Sequence, residues 1–127
     1  MLFRSARAQR ETAEAPLPDG LYDLLESAAG QYGDAPALVF FEQGTTLSYR
    51  DLLAAVDRAA AAFAALGIAK GQHVAVMLPN IPEFPVIWLA LARLGCAMAP
   101  VNVRYTAREL DYVCRDSDSV EIGRAHV

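Results

Sequence analysis

The sequence has few of the residues that support metal, redox or nucleic-acid chemistry. It contains 2 cysteines and 2 histidines in 127 residues, and no Cys-His cluster of the kind that binds zinc surrounds Cys96 or Cys114. We therefore predict that both thiols are reduced and buried. Its 11 Lys and Arg against 15 Asp and Glu give a formal net charge of -4, which predicts no nucleic-acid partner.

Long hydrophobic runs and an apolar N-terminal signal core are also missing. Prolines, an asparagine and charged residues interrupt the most apolar region, so no run reaches the roughly 18 residues expected of a membrane-spanning helix. With 54% hydrophobic and 20% charged residues, the chain is nevertheless too apolar to be disordered as a whole. We expect a cytoplasmic globular domain, or part of one.

The first 18 residues are predicted to be a disordered polar tail. Arg4, Arg7 and Arg10 precede the first acid and would suit an organelle-targeting presequence. Glu11 and further acids follow at once, which favours the tail.

Beyond this tail, the pattern predicts a helix, a hairpin and a second helix. Apolar residues recur at helical spacing over 21–28, and two β-rich runs at 37–41 and 45–47 surround a turn at Gly44. Ser48 is then a candidate N-cap, with Asp51 in the first turn. The apolar face of this second helix consists of Leu52, Leu53, Val56, Ala60, Phe63, Ala64 and Leu66.

The next stretch alternates strand, helix, strand and helix. "HVAVML" and "CAMAPVN" have the nearly continuous apolar character of strands buried on both faces of a parallel sheet, and the segment 82–94 between them is helical. Thr106 with Glu109 predicts a capping box for the last helix. This order predicts the right-handed crossover unit of an α/β fold with a parallel sheet, preceded by a helix and a β-hairpin.

The helix over 82–94 is apolar around most of its circumference. Its large apolar residues are Phe84, Val86, Ile87, Trp88, Leu89, Leu91 and Leu94. Such helices are buried on more than one side, and each large side chain left in water forgoes about 1.5–3 kcal/mol. The domain therefore looks incomplete, and either a further stretch of the same chain or a second copy would have to cover it.

Three segments together resemble the N-terminal part of the adenylate-forming, AMP-binding enzymes. They are "LSYRDL", "GIAKGQHVAVMLPNIPEF" and "LALARLGCAMAPVNVRYTARELDYVCRDS". The likeness covers 21–118, with Leu47-Ser48-Tyr49 and Leu52 similar to the first core motif, and 94–102 similar to the second. Asn102, where peptide-synthetase domains usually carry Asp, makes acyl-CoA synthetases of the fatty-acid and carnitine types the nearest match.

The resemblance implies a parent enzyme that uses ATP, Mg²⁺ and CoA to convert a carboxylic acid into its acyl-CoA. The family's Ser/Thr/Gly-rich phosphate loop, its ribose-binding Asp and its catalytic Lys have no counterpart here, so no catalytic, cofactor-binding or metal-binding residue is assigned. The resemblance also implies the fold, so we expect residues 19–119 to be the incomplete N-terminal portion of a doubly wound, parallel-sheet AMP-binding domain that is inactive alone. Two alternatives stay open: a fragment of a carrier-protein-linked adenylation domain, and a non-catalytic, self-associating α/β module.

Five conspicuous residues are interpreted as structural. His73 opens a strand without a neighbouring nucleophile pattern, and Asp116 and Asp118 lack a third ligand for a cation. Ser48 is a cap, and Trp88 belongs either to the core or to a surface that missing chain would cover.

The last eight residues, 120–127, are predicted to be a non-native tail. The strand expected there begins at Val120 and then loses its apolar pattern in "EIGRAHV". One codon choice for those seven residues, GAG-ATC-GGA-AGA-GCA-CAC-GTC, resembles a common sequencing-adapter read. We therefore hypothesise a translated library artefact.

Overall fold

The computed structural model describes the backbone of residues 6–124 and the side chains of residues 6–120. The helices are α1 (Ala6–Glu14), α2 (Leu21–Tyr32), α3 (Tyr49–Ala65), α4 (Glu83–Arg93) and α5 (Ala107–Asp116). The strands are β1 (Pro36–Phe40), β2 (Thr45–Ser48), β3 (His73–Met77), β4 (Ala97–Pro100) and β5 (Ser119–Arg124). The predicted order of elements from α2 to α5 is thereby confirmed, whereas α1 was not predicted.

The strands form two separate sheets. β1 and β2 make the predicted antiparallel hairpin, in which Phe40 pairs with Thr45 around a turn where Gly44 has a φ of 64°. The second sheet is parallel and has the strand order β4-β3-β5. The chain adds β4 on one side of the central strand β3 and then crosses back to add β5 on the other side. This reversal defines a doubly wound sheet, as predicted.

The central strand β3 is buried on both faces. Val74 and Val76 are completely buried and pack with Leu91 of α4, whereas Ala75 and Met77 point to the opposite face. There Leu110, Val113 and Cys114 of α5 cover them, together with Val101. Alternate residues of one strand therefore contact two different helical layers, which explains its uninterrupted apolar sequence.

A further core lies among the helices. Leu25 of α2, Leu52, Val56 and Ala60 of α3, and Ala90 of α4 are buried together. α3 begins where expected, because the Ser48 side chain accepts a hydrogen bond from the Asp51 amide at 3.0 Å. α5 likewise begins with the predicted Thr106-Glu109 capping box.

The expectation of a disordered tail over 1–18 is wrong for part of that segment. α1 occupies Ala6–Glu14, and none of its residues is buried. Arg7 and Glu11 lie one turn apart and form an exposed ion pair at 2.8 Å, which supports this helix. The alanines of α1 also favour it, because alanine has the highest helix propensity. The segment is helical because of these local interactions and not because of packing.

The expectation that the strand ends after Val120 is also wrong for the backbone. β5 continues to Arg124 and pairs in parallel with β3, Val74 lying opposite Val120 and Val76 opposite Ile122. Backbone hydrogen bonding does not require apolar side chains, so a polar sequence can extend this pairing. The proposed artefactual origin of "EIGRAHV" stays a prediction, and residues 125–127 lie outside those described.

Candidate functional site

The carboxyl ends of the parallel strands are where a doubly wound sheet holds its ligand. After β3, the side-chain amide of Gln43 in the hairpin turn reaches across and donates to the carbonyl oxygen of Asn80 at 3.5 Å. After β4, the side-chain oxygen of Asn102 accepts from the amide of Arg104 at 2.9 Å. Both contacts organise loops at this edge of the sheet, and neither presents a nucleophile or an acid-base pair.

The residues at hand do not fit Mg²⁺ or the phosphates of ATP. Among the described side chains, those of residues 6–120, there is no group of three or more His, Cys, Asp or Glu that could hold a metal ion. The sequence has no Ser/Thr/Gly-rich loop to surround phosphates, and its glycines are isolated. No chemical step can therefore be assigned to side chains of this part of the chain.

His73 lies at the opposite end of β3 from the ligand edge. Its Nδ1 is 2.7 Å from the carbonyl oxygen of Ser117, which joins the start of β3 to the end of α5. Asp118 adopts a left-handed φ of 50°, and its amide donates to the carbonyl oxygen of Arg115. These contacts support the structural interpretation of His73 and place Asp118 in the turn that leads into β5.

Trp88 is not part of the core, which corrects one of its two predicted roles. Its side chain is 43% exposed, although it lies in the middle of α4. The other predicted role, a surface for further chain, is compatible with this exposure.

The two cysteines differ. Cys96 is buried, and its Sγ donates to the carbonyl oxygen of Ala69 at 3.2 Å. Burial raises the pKa of this thiol above its usual range, which keeps it protonated and unreactive. Cys114 is only partly buried, so the prediction of two buried thiols is confirmed for Cys96 alone. Neither cysteine forms a disulfide bond within the described residues.

Sequence reasoning missed a polar cluster that joins α2, α3 and α4. The hydroxyl of Tyr22 donates to Oδ1 of Asp57 at 2.7 Å, and Nη1 of Arg93 lies 2.7 Å from the same oxygen. The Arg93 guanidinium also stacks over the Tyr22 ring, 4.7 Å from its centroid. Burial and the bonded Asp57 carboxylate raise the pKa of Tyr22. Because the partners are 35 and 36 residues apart, no local pattern indicates the cluster.

This arrangement, a doubly wound sheet preceded by a hairpin-and-helix layer, is that of the N-terminal part of adenylate-forming enzymes. The N-terminal subdomain of Klebsiella oxytoca NpsA superimposes with a TM-score of 0.78 at 25% identity, over 85% of this chain and 28% of that one. A Mycobacterium tuberculosis fatty acyl CoA synthetase gives a TM-score of 0.75 at 32% identity, over 79% of this chain and 20% of that one.

The chain belongs to the AMP-binding enzyme family, whose model matches residues 25–122. A crotonobetaine/carnitine–CoA ligase of Salmonella typhimurium is 38% identical over 100 residues, which are 76% of this chain and 19% of that protein. The chain thus spans about a fifth of the length of the curated relatives it matches. The resemblance to acyl-CoA synthetases is confirmed, and the match includes the first residues of the segment predicted to be non-native.

Within residues 6–124, no helix combines the length and apolar character needed to cross a membrane.

Proposed function

We propose that this chain is the N-terminal piece of a cytoplasmic, ATP-dependent acyl-CoA synthetase. In that reaction a carboxylate oxygen attacks the α-phosphorus of ATP and expels pyrophosphate, leaving an acyl-adenylate. The thiol of CoA then attacks the acyl carbon and loses its proton, and AMP departs. The observation that carries the proposal is the 38% identity over 100 residues to a CoA ligase, on a matching fold.

The chain alone is expected to be inactive, because the residues it supplies form the scaffold of the domain and not its phosphate site. The test is to incubate the purified 127-residue protein with ATP, Mg²⁺, CoA and a panel of acids that includes carnitine and fatty acids. We expect no pyrophosphate release above background, with the Salmonella typhimurium ligase as positive control. Acid-dependent pyrophosphate release by this chain would contradict the proposal.

The proposal that this chain belongs to a longer acyl-CoA synthetase is tested by sequencing the source DNA beyond the codon for Ser119. We expect an open frame that encodes a Ser/Thr/Gly-rich phosphate loop and whose product forms acyl-CoA. We also expect the codons for "EIGRAHV" to be missing from the genome. A native stop codon directly after Val127 would refute the artefact hypothesis.

A second candidate is a fragment of an adenylation domain that feeds a carrier-protein thiol. The fold similarity to the N-terminal subdomain of NpsA, which has been solved with 3-hydroxyanthranilyl-AMSN, is compatible with this candidate and with a CoA ligase alike. A carrier domain in the recovered reading frame would select this candidate over a CoA ligase.

The non-enzymatic candidate is a module that completes its core by self-association. The outer edges of β4 and β5 are unpaired within residues 6–124, and two copies could pair there. Sedimentation separates the candidates: the module should form one defined oligomer with a cooperative melt, whereas a fragment should aggregate or melt diffusely.

A further inference from the structure

α2 is apolar on two sides, and only one of them is covered. Leu25 is buried in the core shared with α3 and α4, and Tyr22 packs beside it. On the neighbouring side, Leu21, Leu24 and Ala28 are three and four positions apart and form one stripe, the open stripe of α2. Leu21 is 40% exposed and Leu24 is 51% exposed. Helices that are apolar on two sides are usually covered on both, so this stripe is a surface that further packing would complete.

The segment that leads into α2 extends the open stripe. Leu17 is 91% exposed, and together with Leu24, Pro16 and Pro18 it lines one shallow cavity of about 410 Å³. The two prolines restrict the backbone on both sides of Leu17, which lowers the entropy that this segment loses when it is covered.

α1 is the second element without a packed face. It has 9 residues, none of which is buried, and helices of fewer than about 12 residues are marginal in water unless they pack. Its ion pair between Arg7 and Glu11 occupies one side. The opposite side is uncharged and carries Ala6, Gln9 and Ala13, which are again three and four positions apart.

The connection between the two helices suits an antiparallel pair. Residues 15–20 join them, a length within the range of about 2–8 residues that is usual between packed helices. Counted from this connection at about 1.5 Å per residue, Ala13 comes level with Leu21, and Ala6 comes level with Ala28. Small side chains of α1 then face the leucines of α2, an alternation that lets two helices approach closely.

We propose that residues 1–14 form an N-terminal strap that closes on the open stripe of α2, with α1 packing antiparallel to α2. The strap is open in this structure, and closure buries Leu21 and Leu24 against the uncharged side of α1. The tether of residues 15–20 holds the strap at an effective concentration on the order of millimolar, which favours it over a second copy of the chain. Because the strap involves neither ATP nor an acid, its test is independent of the proposed function.

Disulfide trapping tests the closed state in the 127-residue protein with Cys114→Ser, which leaves the buried Cys96 as its native thiol. Ala6→Cys is combined with Ala28→Cys, because these positions are level in the closed strap and a disulfide needs Cα atoms about 4.4–6.8 Å apart. The control pair has Ala8→Cys, on the other side of α1, in place of Ala6→Cys. In dilute protein under a mild oxidant, the first pair should form an intramolecular disulfide about tenfold faster or more, as measured by mass spectrometry.

A matched pair of variants locates the surface that the strap covers. Leu24→Glu should slow trapping of the first cysteine pair about tenfold or more, because it places a charge where apolar area is buried. The control is Tyr112→Glu, at a 70% exposed aromatic on α5. It should change the trapping rate by about twofold or less.

Three results would overturn the strap and leave the proposed function intact: equal trapping of the two cysteine pairs, no trapping of either, or equal slowing by Leu24→Glu and Tyr112→Glu. A disulfide that forms only between two chains, at a rate that rises with protein concentration, would also overturn it and would assign the open stripe to a second copy. The proposed function is judged separately, by the recovered reading frame and its acyl-CoA product.

Discussion

The helical layer and the parallel sheet differ in how far this chain completes them. In the layer of α2, α3 and α4, a shared core is bounded by the polar cluster of Tyr22, Asp57 and Arg93. In the sheet, Val74 is completely buried, yet Val120, its partner on the neighbouring strand β5, is 41% exposed. The three helices share a buried core, although Leu24 and Trp88 stay exposed, whereas the sheet is fully buried only at its central strand.

The difference follows from where each element finds its hydrogen bonds. A helix satisfies its backbone internally and needs only an apolar face to be covered. A strand needs neighbours on both edges and layers on both faces, and these come from distant chain. The packing of helices therefore depends less on distant chain than the packing of strands does.

The largest expected effect comes from the sheet core. Leu91→Ala removes a completely buried side chain that packs on Val74 and Val76, and should lower the free energy of unfolding by about 2–5 kcal/mol. Leu66→Ala, at a 78% exposed leucine, is the control and should cost about 0.5 kcal/mol or less. Urea denaturation measures both.

Hydrogen exchange on the Leu91→Ala protein sharpens the comparison. If the helical layer is the more self-sufficient region, amides of β3 should lose more protection than amides in the middle of α3. Equal loss in both regions would show that the two form one cooperative unit.

The second effect tests the polar cluster. Asp57→Asn weakens the hydrogen bond from Tyr22 and the ion pair with Arg93, and should cost about 1–2 kcal/mol, since both charged groups are about two-fifths exposed and partly screened. Asp111→Asn, in the exposed ion pair with Arg115, should cost less than about 0.5 kcal/mol. A double-mutant cycle with Tyr22→Phe should give a non-zero coupling energy, and additive effects would argue against a cooperative cluster.

The cluster also predicts a dependence on alkaline pH. The pKa of Tyr22 is higher in the folded protein than its usual value of 10.0, so the neutral phenol is favoured by folding. Its contribution to stability is present below that usual value and is lost as the pH rises through the raised pKa. Tyr22→Phe should remove this part of the pH profile.

The third effect concerns the end of α4. Gly95 has a φ of 75°, and a Cβ there would lie 2.9 Å from Cγ of Lys70. Gly95→Ala should cost about 1–2 kcal/mol from the left-handed backbone alone, and Lys70 must also shift. Gly44 in the hairpin turn has a similar φ of 64° but open space around it. Thermal melts of Gly44→Ala and Gly95→Ala therefore separate the cost of backbone strain from the cost of close packing.

The smallest effect is at the start of α5. Thr106→Ala removes the cap and should cost about 1 kcal/mol. Hydrogen bonds from the backbone amide and hydroxyl of Thr106 lower the pKa of Glu109 below its usual value of 4.5. This contribution is present above that value and is lost as the pH falls through the lowered pKa, so Glu109→Gln should flatten the acid side of the stability profile.

The elements predicted correctly from the sequence are those that depend on residues a few positions apart. Ser48 and Thr106 cap the helices predicted for them, and Gly44 forms the hairpin turn, because each depends on residues within a few positions. The helix in the N-terminal tail was missed although its ion pair, Arg7 with Glu11, is also local. The number of charges in this segment suggests targeting or disorder, whereas the spacing of Arg7 and Glu11, i and i+4, favours a helix.

The features that sequence reasoning could not place depend on contacts between distant residues. Tyr22 and Asp57 meet because α2 and α3 pack side by side, and nothing in either segment points to the other. Trp88 is apolar like its buried neighbours in α4, and only the packed structure shows that it is 43% exposed.

By itself, the sequence determined the order of helices and strands from α2 to α5, the parallel α/β class and the family, because these rest on hydrophobic period, capping residues and motifs that are read within a single segment. Only the tertiary structure decided the strand order β4-β3-β5, the place of β5 in the sheet and the exposure of Trp88. Those features depend on which surfaces meet in space, and burial is a property of neighbours that a residue's own sequence context does not contain.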